Sequence, residues 1–202
     1  MLTNHYWYIP GALTPQQCDE VQHLAAEKTV VEGIHFGAEE NHRSSQISWI
    51  FDESPNDLIG AWIRQANKEA GWQYELEIAE ALQYTKYQVD QFYDWHIDGH
   101  CDHHAARKLV AQAPNPIPLN VTPFPEFQGT VRKLSATVNF SHPQEYQGGE
   151  LQLRCYDQMH IFNDVPRGSI VVFPSFIEHQ VTPITSGERH SGVVWYNGPP
   201  IR

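Results

Sequence analysis

The chain reads as a mainly β domain with helices gathered at its N-terminal end. Two capped amphipathic segments lie before Gly71, and from Glu77 onward short strand-like runs are punctuated by Gly and Pro. That change of rhythm is expected of an all-β barrel or a double-sheet roll. No linker or internal repeat divides the 202 residues, and a hydrophobic content of 41% is enough for one good core. The expected organisation is a single domain over residues 1–202, with helical support over about 14–71 and the β core over about 77–197.

The first helix is announced by Thr14-Pro15-Gln16-Gln17, which puts a capping hydroxyl, a first-turn Pro and a Gln where a capping box needs them. Val21, Leu24 and Ala25 follow at helical spacing. Ser54-Pro55-Asn56-Asp57 predicts a second start, with an apolar stripe of Leu58, Ile59, Trp62, Ile63 and Ala66 ending near Gly71. Further on, Gly168-Ser169 predicts a turn into a buried strand reaching Pro174. Residues 177–183 form another strand, and a turn at Ser186-Gly187-Glu188 leads into a third at 189–196. The stretch 111–129, with Pro114, Pro116, Pro118, Pro123 and Pro125, breaks this rhythm and reads as a long loop. Such a loop is either a lid against the main substrate or a stiff surface connection.

A formal net charge of −11 argues against general binding to nucleic acid or to an anionic membrane. Cys18, Cys101 and Cys155 make no Cys-x-x-Cys motif and cannot all pair, so a reducing compartment is expected. The opening residues lack the basic and apolar regions of a secretion signal, and no apolar run approaches the roughly 20 residues of a membrane span. A cytoplasmic protein is the expectation.

His96 and Asp98 are two apart within Tyr93-Asp94-Trp95-His96-Ile97-Asp98-Gly99. In an extended strand both would point to one side and could grip one ion. With His179 they form two imidazoles and one carboxylate, the set that leaves open positions on non-haem Fe(II). Alone, His-x-Asp is also what a strand's solvent face can carry. Arg189 and Ser191 share a face of the last strand, and adjacent antiparallel strands would bring them to the cavity of His179. A guanidinium beside a hydroxyl suits the remote carboxylate of a small diacid. The other outlet for Arg189 is an ion pair with Glu188 or another surface acid. His190 alternates away from that face, while Trp195 shares it and reads either as inner wall or as aromatic core. His100, Cys101, His103 and His104 form a cluster that reads as solvated or rim-forming, with a second metal as the alternative.

In order and type these residues resemble the Fe(II)- and 2-oxoglutarate-dependent dioxygenases, in the prolyl 4-hydroxylase-like branch that includes the PKHD-type hydroxylases of bacteria and phages. The resemblance extends to the opening strand and helix over 8–18, to a tyrosine-bearing strand over 82–87, and to a central hairpin made by 132–140 and 146–151 with Gly148-Gly149-Glu150-Leu151. It implies a double-stranded β-helix, the jelly-roll or cupin-like core, with the metal at its open mouth. It further implies Fe(II) on His96, Asp98 and His179, and 2-oxoglutarate held by Arg189, Ser191 and Tyr87, with Asn139, Leu151, Val181 and Trp195 lining the pocket. O₂ is the oxidant and ascorbate a stimulant. The reaction implied is hydroxylation, most readily of a prolyl residue in a peptide or protein, with release of succinate and CO₂. Retention of Asp98 fits hydroxylation, because halogenating relatives lack that carboxylate. Two departures stand out: no glycines follow Tyr87, and Asn139 stands where some animal relatives have a tyrosine. The alternatives are a hydroxylase of a free amino acid or other small molecule, and a non-catalytic cupin-like binding module.

Overall fold

Alternation along the long strands sorts this chain into two layers, because each strand of the larger sheet sends one set of side chains to the helices and the other to a second sheet. The computed structural model describes residues 2, 4–33, 42–99 and 130–199. Its larger sheet has eight strands. Seven run in the order β1 (Trp7–Ile9), β12 (Ile170–Pro174), β8 (Val131–Asn139), β15 (Arg189–Gly198), β6 (Leu82–Tyr87), β4 (Gln46–Ile50) and β2 (Val31–Glu32). The eighth, β5 (Ile78–Ala79), pairs with β15. The smaller sheet runs β11 (Gln158–Phe162), β10 (Leu151–Cys155), β13 (Glu178–Val181), β7 (Phe92–His96) and β3 (Arg43–Ser44). A two-stranded ribbon of β14 (Ile184–Gly187) and β9 (Tyr146–Gly148) accompanies them. The ladders are antiparallel, and the architecture is the jelly roll expected from the sequence.

Helix α1 (Pro15–Ala26) starts as the sequence predicts. The Thr14 hydroxyl accepts from the Gln17 amide at 3.3 Å, and the Gln17 side chain accepts from the Thr14 amide at 2.8 Å. Helix α2 (Glu53–Glu69) departs from the expected cap. Its N-cap is Asp52, whose carboxylate is drawn to Lys28 at 2.7 Å and makes no capping bond. The Asn56 side chain instead ties the helix start to the strands, donating to the Ile50 and Asp52 carbonyls and accepting from the Leu82 amide. Ile59, Ile63 and Ala66 of α2 meet Cys18, Val21 and Ala25 of α1 over Leu134, Ala136, Val138, Ile170, Val172 and Val194 of the sheet. Each fully buried Leu, Ile or Val side chain there contributes roughly 1.5–3 kcal/mol.

The opposite face of the same strands looks inward. Val171 and Phe173 pack against Leu151, Leu153 and Ile177 of the smaller-sheet layer. Phe173, Ser135 and Trp195 are successive cross-strand partners and therefore share this inner face. By the same register, Arg189 with Tyr87, and Asn139 and Thr85 with Ser191, face inward too.

Two expected boundaries move. The strand predicted over 177–183 is cut to β13, and the turn predicted at Ser186-Gly187-Glu188 is largely the short strand β14, paired with β9. Gly187, at φ +75°, lies so close to the Glu145 carbonyl that a Cβ would collide with it. The Pro-rich stretch 111–129 and the cluster His100, Cys101, His103 and His104 lie outside the described residues. Among the described residues, no helix is long and apolar enough to cross a membrane.

Candidate active site

His96 and His179 are direct partners across β7 and β13, so the ladder itself sets their rings 4.1 Å apart, centroid to centroid. Asp98 reaches the same point by another route than a continuous strand. β7 ends at His96, and the Asp98 and Gly99 amides both donate to the Ser175 carbonyl, at 3.0 and 2.9 Å. That bifurcated anchor turns the carboxylate inward. Ligand atoms of His96, Asp98 and His179 lie within 4.8 Å of one another. Asp98 Oδ1 is 3.8 Å from His96 Nε2, and its Oδ2 is 3.3 Å from His179 Nε2.

Backbone carbonyls fix the tautomers. His96 Nδ1 lies 2.7 Å from the Asp94 carbonyl, and His179 Nδ1 lies 3.0 Å from the Ile177 carbonyl. A carbonyl only accepts, so each Nδ1 carries the hydrogen and each Nε2 turns a lone pair toward Asp98. Two lone pairs and a buried carboxylate repel one another unless positive charge lies among them, and Asp98 Oδ2 is buried with no hydrogen-bond partner among the described residues. Burial alone would raise the Asp98 pKa. Interaction with the adjoining His179 and His96 imidazoles and with the Arg132 guanidinium outweighs that and holds the carboxyl well below its ordinary range. A divalent cation supplies the same charge with both imidazoles neutral, so the donor set fits Fe(II).

Arg189 sits on the other wall. The sequence led us to expect it on a strand beside that of His179, but β15 belongs to the larger sheet and β13 to the smaller. The chain crosses between sheets through β14, so the guanidinium faces the triad layer across the roll rather than along one sheet. Arg189 is 5% exposed, and its Nε and Nη1 are buried with no hydrogen-bond partner among the described residues. Glu188 does not satisfy it, being held by Lys86 at 2.8 Å and His190 at 2.9 Å. The rings of Tyr87 and Tyr146 flank the guanidinium at 5.9 and 6.0 Å. Ser191 is buried on the same face, opposite Thr85, whose Oγ1 is also buried without a partner among the described residues.

The further lining residues divide. Trp195 is on the inner wall and not in the helix-side core, stacked under Arg132 at 3.9 Å, with its indole N–H buried and unpartnered among the described residues. Asn139 has no amide hydrogen left for a ligand, because its Nδ2 donates to the Ser141 and Val165 carbonyls at 2.9 and 2.7 Å. Leu151 joins the inter-sheet apolar cluster, and Val181 is its cross-strand partner. Gly149, at φ +63°, lets the ribbon pass under Arg189: a Cβ there would come within 3.0 Å of Arg189 Cδ and collide with Ile184 Cδ1. Gly149→Ala is expected to cost about 1–3 kcal/mol, the scale of overpacking combined with a left-handed backbone, read as a lowered urea midpoint at unchanged slope.

Tyr93 was missed by sequence reasoning. It lies flat on His96, with ring centroids 3.5 Å apart at an interplanar angle of 14°, and the Arg43 guanidinium lies 4.5 Å from its centroid. Residues three apart point to opposite faces of a regular strand. Here β7 spends three residues, Tyr93 to His96, against two on β13, Val181 to His179, and the irregularity brings both rings together. Arg43 in turn bridges the sheets through the Gln83 side chain at 2.8 Å. Glu80 takes Arg132 by both carboxylate oxygens at 2.6 Å.

A roll with two imidazoles and a carboxylate converging on one wall, and on the other a buried guanidinium whose Nε and Nη1 have no partner among the described residues, has the form of an iron oxygenase that uses a diacid co-substrate. Residues 82–197 match the 2OG-Fe(II) oxygenase superfamily, and the chain belongs to that superfamily, whose chemistry uses Fe(II), 2-oxoglutarate and O₂. It is 49% identical over 70 residues to a PKHD-type hydroxylase of Shewanella sp. (strain ANA-3), a match spanning 34% of this chain and 30% of that relative's length. With the PKHD-type hydroxylase YbiX of Shigella flexneri the identity is 28% over 197 residues, covering 94% of this chain and 76% of the relative. The fold is also that of a viral collagen prolyl hydroxylase from Paramecium Bursaria Chlorella virus-1, solved as a 2OG complex, with a TM-score of 0.67 at 19% identity over 97% of both chains.

Proposed function

We propose that His96, Asp98 and His179 hold Fe(II), that Arg189 with Ser191 and Tyr87 anchors the remote carboxylate of 2-oxoglutarate, and that the chain hydroxylates a prolyl residue in a peptide or protein, with release of succinate and CO₂. The observation that carries this reading is the buried guanidinium of Arg189, whose Nε and Nη1 find no acceptor among the described residues. An unpaired buried charge of this kind costs several kcal/mol unless a bound anion relieves it. A carboxylate accepting two parallel N–H bonds is the matching anion. Tyr87 and Tyr146 wall the guanidinium from water, and the Ser191 and Thr85 hydroxyls lie on the same inner face.

When bound, Fe(II) and 2-oxoglutarate supply the O₂-activating chemistry, and the protein supplies position and exclusion of water. The carbonyl-fixed Nδ1–H tautomers keep both Nε2 lone pairs aimed at one point, and Asp98 adds a neutralising charge there. Three protein ligands leave room on the ion for the co-substrate and O₂. Trp195, Arg132 and Tyr93 form an aromatic and cationic rim beside the triad, with Arg132 Nη1 3.4 Å from the Asp98 carbonyl. Such a rim suits an apolar ring carried on a polar peptide backbone. The relation to PKHD-type hydroxylases supports the same class.

The test is to add Fe(II) and 2-oxoglutarate without O₂ and look for the visible charge-transfer band of the chelate, then to admit O₂ and follow succinate. The expected result is a band in the native protein and succinate release stimulated by proline-containing peptides. A metal-loaded protein without the band would overturn the oxygenase reading. Stimulation by free amino acids and not by peptides would overturn the substrate class alone.

A further inference from the structure

Thr85 is fully buried, and its Oγ1 has no hydrogen-bond partner among the described residues. It stands in a row across the larger sheet whose cross-strand partners share the inner face: Ile47 on β4, Thr85 on β6, Ser191 on β15 and Asn139 on β8. The next pair along β6 and β15 on that face is Tyr87 with Arg189. We propose that Thr85 is a further contact for the co-substrate, its hydroxyl donating to the remote carboxylate that Arg189 binds. The inference rests on the reading of Arg189 as the anchor of 2-oxoglutarate.

The neighbours in the row do not satisfy this hydroxyl. Ile47 is apolar, and the Asn139 side chain is committed elsewhere, donating to the Ser141 and Val165 carbonyls and accepting from the Ser141 amide at 3.4 Å. A strand position that packs only against apolar surface takes Val as readily as Thr, without the cost of a buried unpaired hydroxyl. The polar choice therefore points to a partner that the sheet itself lacks. Arg189 is diagonal to Thr85 across the β6–β15 ladder, a separation of about 7–8 Å that long side chains span. Its Nε and Nη1 are also without partners among the described residues, so one stretch of the inner wall presents a hydroxyl and a guanidinium with no acceptor to share. A carboxylate only accepts and offers about four lone-pair sites, of which two parallel N–H bonds take two. The remaining sites suit hydroxyl donors, and a bond to a charged acceptor is roughly twice as strong as a neutral one. A neutral carbonyl or hydroxyl in that place would satisfy Thr85 and leave the guanidinium charge unmatched. The pair thus selects a diacid over a 2-oxo acid with an apolar end.

Two substitutions divide the side chain into its parts. Thr85→Val keeps the shape and removes the hydroxyl, whereas Thr85→Ser keeps the hydroxyl and removes a buried methyl. Affinity is read by titrating the charge-transfer band of the Fe(II) complex without O₂. Thr85→Val is expected to bind 2-oxoglutarate about 10–100-fold more weakly, the fold-change of one hydrogen bond to a charged group. Its melting temperature without ligand should stay level or rise, since an unpaired buried hydroxyl has been removed. Thr85→Ser should show the reverse pattern, with 2-oxoglutarate affinity within about threefold of the native protein and a lower melting temperature. 2-Oxopentanoate, which has the same number of carbons and no remote carboxylate, is the control. Its affinity should be the same in the native protein and in Thr85→Val, so that the preference for the diacid shrinks by the factor that 2-oxoglutarate loses. Native-like 2-oxoglutarate affinity in Thr85→Val overturns the proposal, as does equal weakening of both acids, which marks a changed cavity and not a lost contact. A Thr85→Val variant that loses its fold makes the hydroxyl structural and overturns it too. Failure of the native protein itself to bind 2-oxoglutarate would instead overturn the oxygenase reading, and this inference with it.

Discussion

Arg189→Ala is expected to weaken 2-oxoglutarate binding by about 2–5 kcal/mol, the scale for removing one partner of a buried charge pair, read by titrating the anaerobic charge-transfer band. On the proposed placement, truncation would leave the remote carboxylate without a cation where the guanidinium now lies, 5.9 and 6.0 Å from the Tyr87 and Tyr146 ring centroids. Arg189→Lys should recover only part of the loss, because an ammonium keeps the charge but lacks the planar fork. The effect on the empty protein has the opposite character. Since Nε and Nη1 have no partner to lose among the described residues, removing the guanidinium should leave unfolding free energy unchanged or slightly raised. A variant that unfolds early with normal 2-oxoglutarate affinity would make Arg189 a structural residue and put the pocket elsewhere.

The same residue shows how far the sequence could be read. Period-two alternation placed Arg189, Ser191 and Trp195 on one face, and the register confirms that shared face through their partners Tyr87, Asn139 and Ser135. Alternation does not say which sheet a strand joins, so Arg189 was expected beside His179 and instead faces it across the roll. Helix α1 was legible because its capping box is local, closed by bonds between Thr14 and Gln17. The cap of α2 was not, because Lys28, distant in sequence, claims the Asp52 carboxylate. Tyr93 was hidden by a strand irregularity that only the pairing with β13 defines. Thr85 carried a signal that could have been used: it stands two residues before Tyr87 and so shares its face.

His179→Ala is expected to lower Fe(II) or Co(II) affinity by at least about 100-fold, roughly 3 kcal/mol, since even residues that only orient a ligand cost 10–100-fold. The substitution also has a structural consequence that has to be told apart from metal loss. The imidazole fills space between His96 at 4.1 Å and Phe173 at 4.7 Å, and its cross-strand partner Leu153 is fully buried. A cavity there should cost the metal-free protein about 1–2 kcal/mol. Metal linkage separates the two effects. Bound ion at 100 times its Kd adds about 2.7 kcal/mol to the native protein, so its melting temperature should climb with added Co(II). The variant should start lower and stay flat until the ion reaches concentrations about 100-fold higher. His179→Gln, which refills much of the volume without an imidazole nitrogen, should recover the metal-free stability but not the metal response. If His179→Gln restored both the Co(II) response and the 2-oxoglutarate band, the third ligand would not be His179, and the convergence of its Nε2 on Asp98 would be packing alone.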